Sequence, residues 1–328
     1  MSRVIIAAGV AAACTLTLAA APALAQGKGP GGYPQKPVRF LVPFAPGGTT
    51  DLLARIVSQR LSDELGQQLV VDNRGGAGGT IAAEIVARAG GDGYTLKMNH
   101  QGMTFNATLY PKLPFDTAKA FAAIGMIGVT PNVLVVNSAV PAKSVSEFIA
   151  LAKKNANLSF GSGGMGSSAH LAVELFMFQA GIKMLHVPYK GAGPALADTI
   201  GGQVQMMIAT LPAASGHIRG GKLRALGMSG LKRSPAFPDI PTIAESGVPK
   251  YEYDTWYGMF GPASLPRPMI TWLNQTLNRV MNEPEMRKRM SDTGLEVETS
   301  TPEQLQKIVI EDIARWGKVI REAKIRID

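Results

Sequence analysis

Four times in this chain a short apolar run gives way to a glycine-rich loop and then to a helical stretch, at residues 43–51, 73–80, 160–170 and 189–194. Strand, loop and helix in series predict an α/β fold with parallel strands. They also place four loops at the carboxyl ends of strands, where open α/β sheets bind ligands. A Pro-Gly-Gly turn such as Pro46-Gly47-Gly48 lets backbone approach a ligand closely. The free N–H groups and positive dipole end of the helix behind it favour an anion. The plainer alternative is an ordinary turn in which Thr50 or Asp51 caps the helix.

Hydrophobic patterning predicts strands at 38–42, 69–71 and 94–98, with helices from 52 to 65 and over 80–88. A second series follows: strands at 133–136, 158–160, 184–187, 204–208 and 223–228, and helices over 145–154, 167–179 and 194–200. A return strand at 258–262 precedes helices over 268–281, 285–293 and 302–323. Two sheets are expected, with crossings at 127–131 and 254–261 that permit hinge closure. The expected division is one discontinuous domain, 33–130 with 255–328, a second at 131–254, and a flexible Gly-rich lead-in at 26–32.

Residues 1–25 carry one cation, Arg3, an apolar run and the ending Ala23-Leu24-Ala25, the pattern of a secretory signal peptide cleaved after Ala25. The destination expected is the periplasm. The only cysteine, Cys14, lies in this leader without the leucine usual before a lipid-modified cysteine. The mature chain then has no thiol for a disulfide, metal site or nucleophile. Loss of the leader removes only Arg3, leaving 32 basic residues against 24 acidic ones, a net charge of +8. An anionic ligand suits that balance, although solubility alone explains scattered lysines. Aromatic residues make up 6% of the chain, with no basic-aromatic platform for single strands, so no nucleic-acid partner is expected.

Gly161, Gly163 and Gly166 match the spacing of a dinucleotide-binding loop, but no acidic residue stands between Leu175 and Leu196 to hold a ribose. Anion binding at a helix start remains, with Ser162, Ser167 and Ser168 as hydroxyl donors or simple caps. Residues 216–223 imitate a phosphate loop except at Leu223, where Ser or Thr should stand. His100, His170, His186 and His217 show no metal-ligand spacing, and G-x-S-x-G is absent. No cofactor and no catalytic group are expected. Tyr189 can stack on or hydrogen-bond to a ligand, and His100 follows a strand toward the same cleft.

Together, Pro43 through Gly48 with Asp51 and Arg55, Asn73 through Gly79, Asp92-Gly93-Tyr94, Gly161-Ser162-Gly163 through His170, Pro188 through Gly191, Gly201 through Val204, Pro238 through Thr242 and Trp256-Tyr257-Gly258 resemble, in order, the Bug family of solute-binding receptors. The resemblance spans nearly the whole mature chain. It implies a two-domain periplasmic binding protein of type II, the Venus-flytrap architecture. The implied role is a monomeric, non-enzymatic receptor that passes a small organic carboxylate to a membrane transporter of the tripartite tricarboxylate type, or presents it to a sensor kinase. A periplasmic hydrolase of carboxylate esters is the alternative from another class. Carried over by position, Phe44, Gly47, Gly48 and Asp51 are expected to line one wall, and Ser162, Gly163, Ser167 and Tyr189 the other; Pro46, Thr49, His100, Ser168 and Gln205 are further ligand-binding candidates beside them. Many relatives have aspartates where this chain has Gln205 and Ala209. The hypothesis is that this chain prefers a ligand without positive charge.

Overall fold

The computed structural model describes residues 27–155 and 157–326. The expected signal peptide and Cys14 lie outside the described residues. Residues 27–32, expected as a flexible lead-in, form a 3-10 turn at Pro30–Gly32 closed by a 2.8 Å bond from Gly29 N–H to Tyr33 O.

The chain is α/β with two sheets. The first holds β1 (Val38–Val42) between parallel neighbours β2 (Leu69–Asn73) and β3 (Thr95–His100). Beyond β3 come the antiparallel β9 (Asp254–Pro262) and β4 (Phe121–Asn137). The second sheet begins on the far half of β4. There β7 (Met206–Thr210) and β8 (Leu223–Met228) pair antiparallel with it, and β5 (Ser159–Ser162) joins β7 in parallel to β6 (Leu185–Pro188). One 17-residue strand thus belongs to both sheets.

Both crossings lie in one antiparallel ribbon. β4 pairs with β9 from Phe121 opposite Pro262 to Pro131 opposite Asp254, and from Asn132 onward it pairs with β7 instead. The two passages between lobes are therefore hydrogen-bonded neighbours in a two-stranded connection.

Helix α1 (Thr49–Leu65) buries Leu53, Ile56, Val57, Leu61 and Leu65, the i, i+3, i+4 pattern of an amphipathic helix on a sheet, and ends at Gly66 in the left-handed region. It shares the first core with Phe40, Met98 and Met259 and with α8 (Arg267–Met281) and α9 (Pro284–Thr293). The second core gathers Phe160, Leu171, Phe176 and Tyr251 beneath α4 (Val145–Lys154) and α5 (Ser168–Ala180). Two helices depart from the expected division. Phe105 and Leu109 of α3 (Gly102–Leu109), with Trp316 and Ile320 of α10 (Pro302–Glu322), join that second core although both helices were expected in the first domain. Helix α10 starts against the first sheet, through Leu305 and Val309, and finishes on the other lobe.

Hydrophobic patterning does not predict α3. Its Gly, Thr and Asn residues are poor helix formers, and it stands because most of it is buried. Helix α2 (Thr80–Ala87) packs Ala83 and Val86 against Leu41 and Phe260, and two further helices complete the second lobe, α6 (Ala192–Ile200) and α7 (Leu211–Arg219).

Candidate functional site

Four helices point their N-termini into one space between the lobes. Gly48 is the N-cap of α1 and offers no side-chain cap. The first intrahelical bond runs from Leu52 N–H to Gly48 O, which leaves the Thr49, Thr50 and Asp51 N–H groups outside the ladder. Across the cleft, Ser167 caps α5 by accepting from His170 N–H, and Leu171 N–H bonds to Ser167 O, so Ser168 and Ala169 keep theirs. Gly191 caps α6 without a side chain, and Thr210 is the N-cap of α7, whose first turn holds Pro212.

The cavity among them measures about 40 Å³, room for roughly three waters at ~10–15 Å³ each. Gly48, Thr49, Thr50, Gly163, Ser167, Ser168, Ala169, Ala192 and Thr210 supply its polar and backbone walls, and Phe44, His100, Met207 and Tyr257 the rest. None of these side chains is ionised at neutral pH. His100 is buried, which lowers its pKa to about 3, and its Nδ1 accepts from Gly102 N–H at 2.8 Å. The ring proton is thus assigned to Nε2. His100 stacks on Phe44 at 4.9 Å and meets Tyr257 edge-on at 5.8 Å. Burial pushes the Tyr257 phenol well above its usual range, so it stays a donor.

The lobes are closed over this space. The Thr49 and Thr210 hydroxyls meet at 2.7 Å, and Ala45 N–H donates to Lys190 O at 2.8 Å. Ser168 ties the cavity to the hinge. Its hydroxyl lies 2.8 Å from Thr255 Oγ1 and 3.0 Å from the Tyr253 hydroxyl, and Asn132 Nδ2 donates to Thr255 Oγ1 from the other crossing. An arrangement of N–H groups, hydroxyls and helix dipoles of this kind favours an anion, each helix end contributing about 0.3–1 kcal/mol and up to ~2 where partly buried.

Of the residues expected at the site, Phe44, Gly48, Thr49, His100, Gly163, Ser167 and Ser168 come together around the cavity. Pro46, Gly47, Asp51, Ser162, Tyr189 and Gln205 do not. Pro46 and Gly47 pack against Gly193 at the lobe interface. Asp51 supports the loop from beneath, accepting from Gly47 N–H at 3.2 Å and Asn73 Nδ2 at 3.0 Å. Burial opposes its ionisation, but the Arg55 guanidinium and those two donors outweigh it and hold the carboxyl below its usual range. Ser162 is fully buried, with its hydroxyl 2.6 Å from His186 Nε2. Tyr189 donates to Asp198 at 2.7 Å. Gln205 Oε1 accepts from Ser159 N–H and Oγ, and Ala209 is packed in the core, so neither lines the cavity and neither can set ligand charge directly. Residues not expected there are Thr50, Ala169, Ala192, Met207, Thr210 and Tyr257. Leu211-Pro212 after an apolar strand marks a helix start and is the signal that finds Thr210.

Residues 53–325 match the family described as Tripartite tricarboxylate transporter family receptor. Protein BugT of Bordetella pertussis is 35% identical over 298 residues, 90% of this chain and 91% of that one. A solved structure of an R. palustris protein with adipate is 37% identical with a TM-score of 0.87, covering 90% of this chain and 99% of its own. MatC from Rhodopseudomonas palustris with bound malate is 33% identical, TM-score 0.85, covering 88% and 100%.

Proposed function

The chain belongs to the tripartite tricarboxylate transporter family of receptors, the Bug family, and from that premise we propose that it closes on a small organic carboxylate in the periplasm and delivers it to a membrane transporter. The observation that carries this reading is the cavity itself, where four helix N-termini converge and no ionised side chain stands. Uncapped N–H groups favour a carboxylate, while the lack of a carboxylate among the lining residues leaves nothing there to neutralise a cationic group. Adipate and malate in the two similar proteins support the same chemistry.

In this reading the leader at 1–25 directs export, and the mature receptor is a monomer. Its moving bodies follow the sheets, 33–130 with 255–328 against 131–254, except that α3 and the end of α10 travel with the second. Ligand shifts the open-closed balance only by its differential affinity for the two states. A cavity of about 40 Å³ requires opening for a dicarboxylate to enter.

The receptor role is favoured over hydrolysis by the surroundings of Ser162 and His186, which sit at 2.6 Å like a nucleophile and base. Ser162 is sealed from the cavity, and His186 is sandwiched between Phe160 at 4.6 Å and His170 at 4.3 Å with no carboxylate orienting it.

Native mass spectrometry of the protein as purified, followed by thermal unfolding of the refolded, stripped protein against mono-, di- and tricarboxylates and aminated analogues, tests the proposal. A selective shift is expected, about 2.7 kcal/mol at 100 times Kd. Recovery of a non-acidic ligand, or conversion of any bound acid on long incubation, overturns it.

A further inference from the structure

His100 is 5% exposed and lines the cavity between the lobes. Its Nδ1 is committed as an acceptor to Gly102 N–H, so the imidazole presents Nε2 as an N–H donor and cannot turn it into an acceptor without losing that bond. The ring plane is fixed as well, by the parallel stack on Phe44 and the edge contact with Tyr257. Among the described residues Nε2 has no hydrogen-bond partner, yet it is not sealed within the protein, so its outlet is the cavity that the residue lines. A ligand oxygen that reaches it satisfies a donor otherwise left unpaired.

This donor stands beside the free N–H groups of α5. A methyl group on Gly102 would lie 2.5 Å from His100 Cε1 and 3.3 Å from Ser168 N, so the imidazole edge and the first N–H of that helix adjoin the same residue. Acceptors are scarce in the same walls. The Thr49 and Thr210 hydroxyls hold one another and Tyr257, Ser168 Oγ is engaged with Tyr253 and Thr255, and Ser167 Oγ accepts from His170 N–H. No lining side chain is a carboxylate or an amide. A carbonyl oxygen next to a bound carboxylate meets a donor here, whereas an ammonium in its place sets three N–H donors against another donor and loses its hydration.

We propose that the cavity selects 2-oxo acids, and that His100 makes the selection by donating its Nε2–H to the oxo oxygen while the N–H groups of Ser168 and Ala169 hold the carboxylate. The inference rests on the receptor reading above and narrows it to one substrate class. His100 is in this account a specificity-determining residue, because a donor locked in one tautomer discriminates acceptor from donor on the ligand at a single position.

Calorimetric titration of the refolded, stripped mature protein with acids paired on one carbon skeleton tests this: pyruvate with alanine, oxaloacetate with aspartate, 2-oxoglutarate with glutamate. In the best-bound pair the oxo acid is expected to bind at least about tenfold more tightly than its amino partner, a comparison that needs no variant. His100→Asn keeps an acceptor for Gly102 N–H but is too short to reach the ligand. It should cost the oxo acid about fivefold and the amino acid less than twofold, so the ratio between them falls. A purely structural role for His100 would weaken both acids alike, and an unmoved ratio overturns the proposal. So does an amino acid that binds as well as its oxo partner. Failure of all six acids also overturns it, and the wider carboxylate panel then separates the two readings: binding of another carboxylate leaves the receptor standing, and binding of none removes both.

Discussion

The hydroxyls of Thr49 and Thr210 meet at 2.7 Å across the cleft, joining the first turn of α1 in one lobe to the start of α7 in the other. Each is a wall of the cavity, and the Tyr257 phenol lies against both. In the proposed receptor, ligand contact and lobe closure therefore share atoms. Thr49→Val should cost about 1 kcal/mol of ligand affinity, roughly fivefold, because it breaks the hydroxyl contact that spans the lobes and leaves Thr210 with Tyr257 alone. The double variant with Thr210→Val should cost more than either single change, since the buried Tyr257 phenol then loses both hydroxyl partners, but less than their sum, since each single change already breaks the Thr49–Thr210 contact. Calorimetric titration with the acid identified by screening checks this, and additive losses would show that the pair does not act as one contact.

Closure brings Gly193 so near the first lobe that a methyl group there would stand 2.3 Å from Pro46 O. Gly193 is the second residue of α6 and directly precedes Pro194, where a Cβ is disfavoured in the helical region, so alanine brings no gain in helix stability there. Gly193→Ala should therefore lower the stability of the unliganded protein slightly and hold the lobes apart. More than about tenfold weaker ligand binding is expected, with a larger radius of gyration that ligand no longer reduces. Small-angle scattering with and without ligand measures it, and normal compaction would refute the wedge.

His100 and His186 are both held neutral, with pKa values lowered to about 3, His100 by burial and His186 by burial and then by the neighbouring His170. Unfolded histidine titrates near ~6.5. Between that value and about 3 the unfolded chain binds protons that the native one refuses, so stability falls as pH drops through this window and is fully retained above it. Unfolding midpoints in denaturant should decline below pH 6.5 with an uptake of up to about two protons from this pair. His100→Asn keeps an acceptor for Gly102 N–H and should remove about one proton from the slope. An unchanged slope would mean that His100 titrates normally in the fold.

Asp51 touches no ligand space but organises the loop that does. Asp51→Ala removes the acceptor for Gly47 N–H and Asn73 Nδ2 and the partner of Arg55. A loss of about 1–3 kcal/mol in stability is expected, together with weaker ligand binding. Because its folded pKa is depressed, this contribution is present above the ordinary carboxylate range and fades as pH falls through the folded value. Denaturant unfolding at pH 7 and pH 3 should show the variant's deficit shrinking in acid.

Much of this arrangement is legible in the chain because it is local. Glycine-rich turns after apolar strands announce helix N-termini at Gly48 and Ser167, and the Ser167 and Ser168 hydroxyls follow from that spacing, whereas Phe44 and Gly163 come from the family resemblance. The turn at Gly47, with φ of +88°, illustrates why glycine stands there. What spacing does not reveal is direction. Ser162, Tyr189 and Asp51 sit in the same loops or one turn away and have polar groups suited to a ligand, yet each is turned toward His186, Asp198 or Arg55.

The amino-acid sequence by itself determined the α/β class, the two series of strands and helices, and the anion-favouring loops, since backbone propensity, hydrophobic period and helix dipoles act within a few residues. Only the tertiary structure decided that 121–137 is one strand shared by two sheets, that α3 and the end of α10 belong to the second core, and that Thr210, Met207 and Tyr257 complete the cavity. Those outcomes depend on pairing between segments more than a hundred residues apart, such as Pro131 with Asp254 and Thr49 with Thr210. Such contacts form where buried area and hydrogen bonds from the whole chain outweigh the entropy of closing the loops between them, a balance that no local pattern encodes.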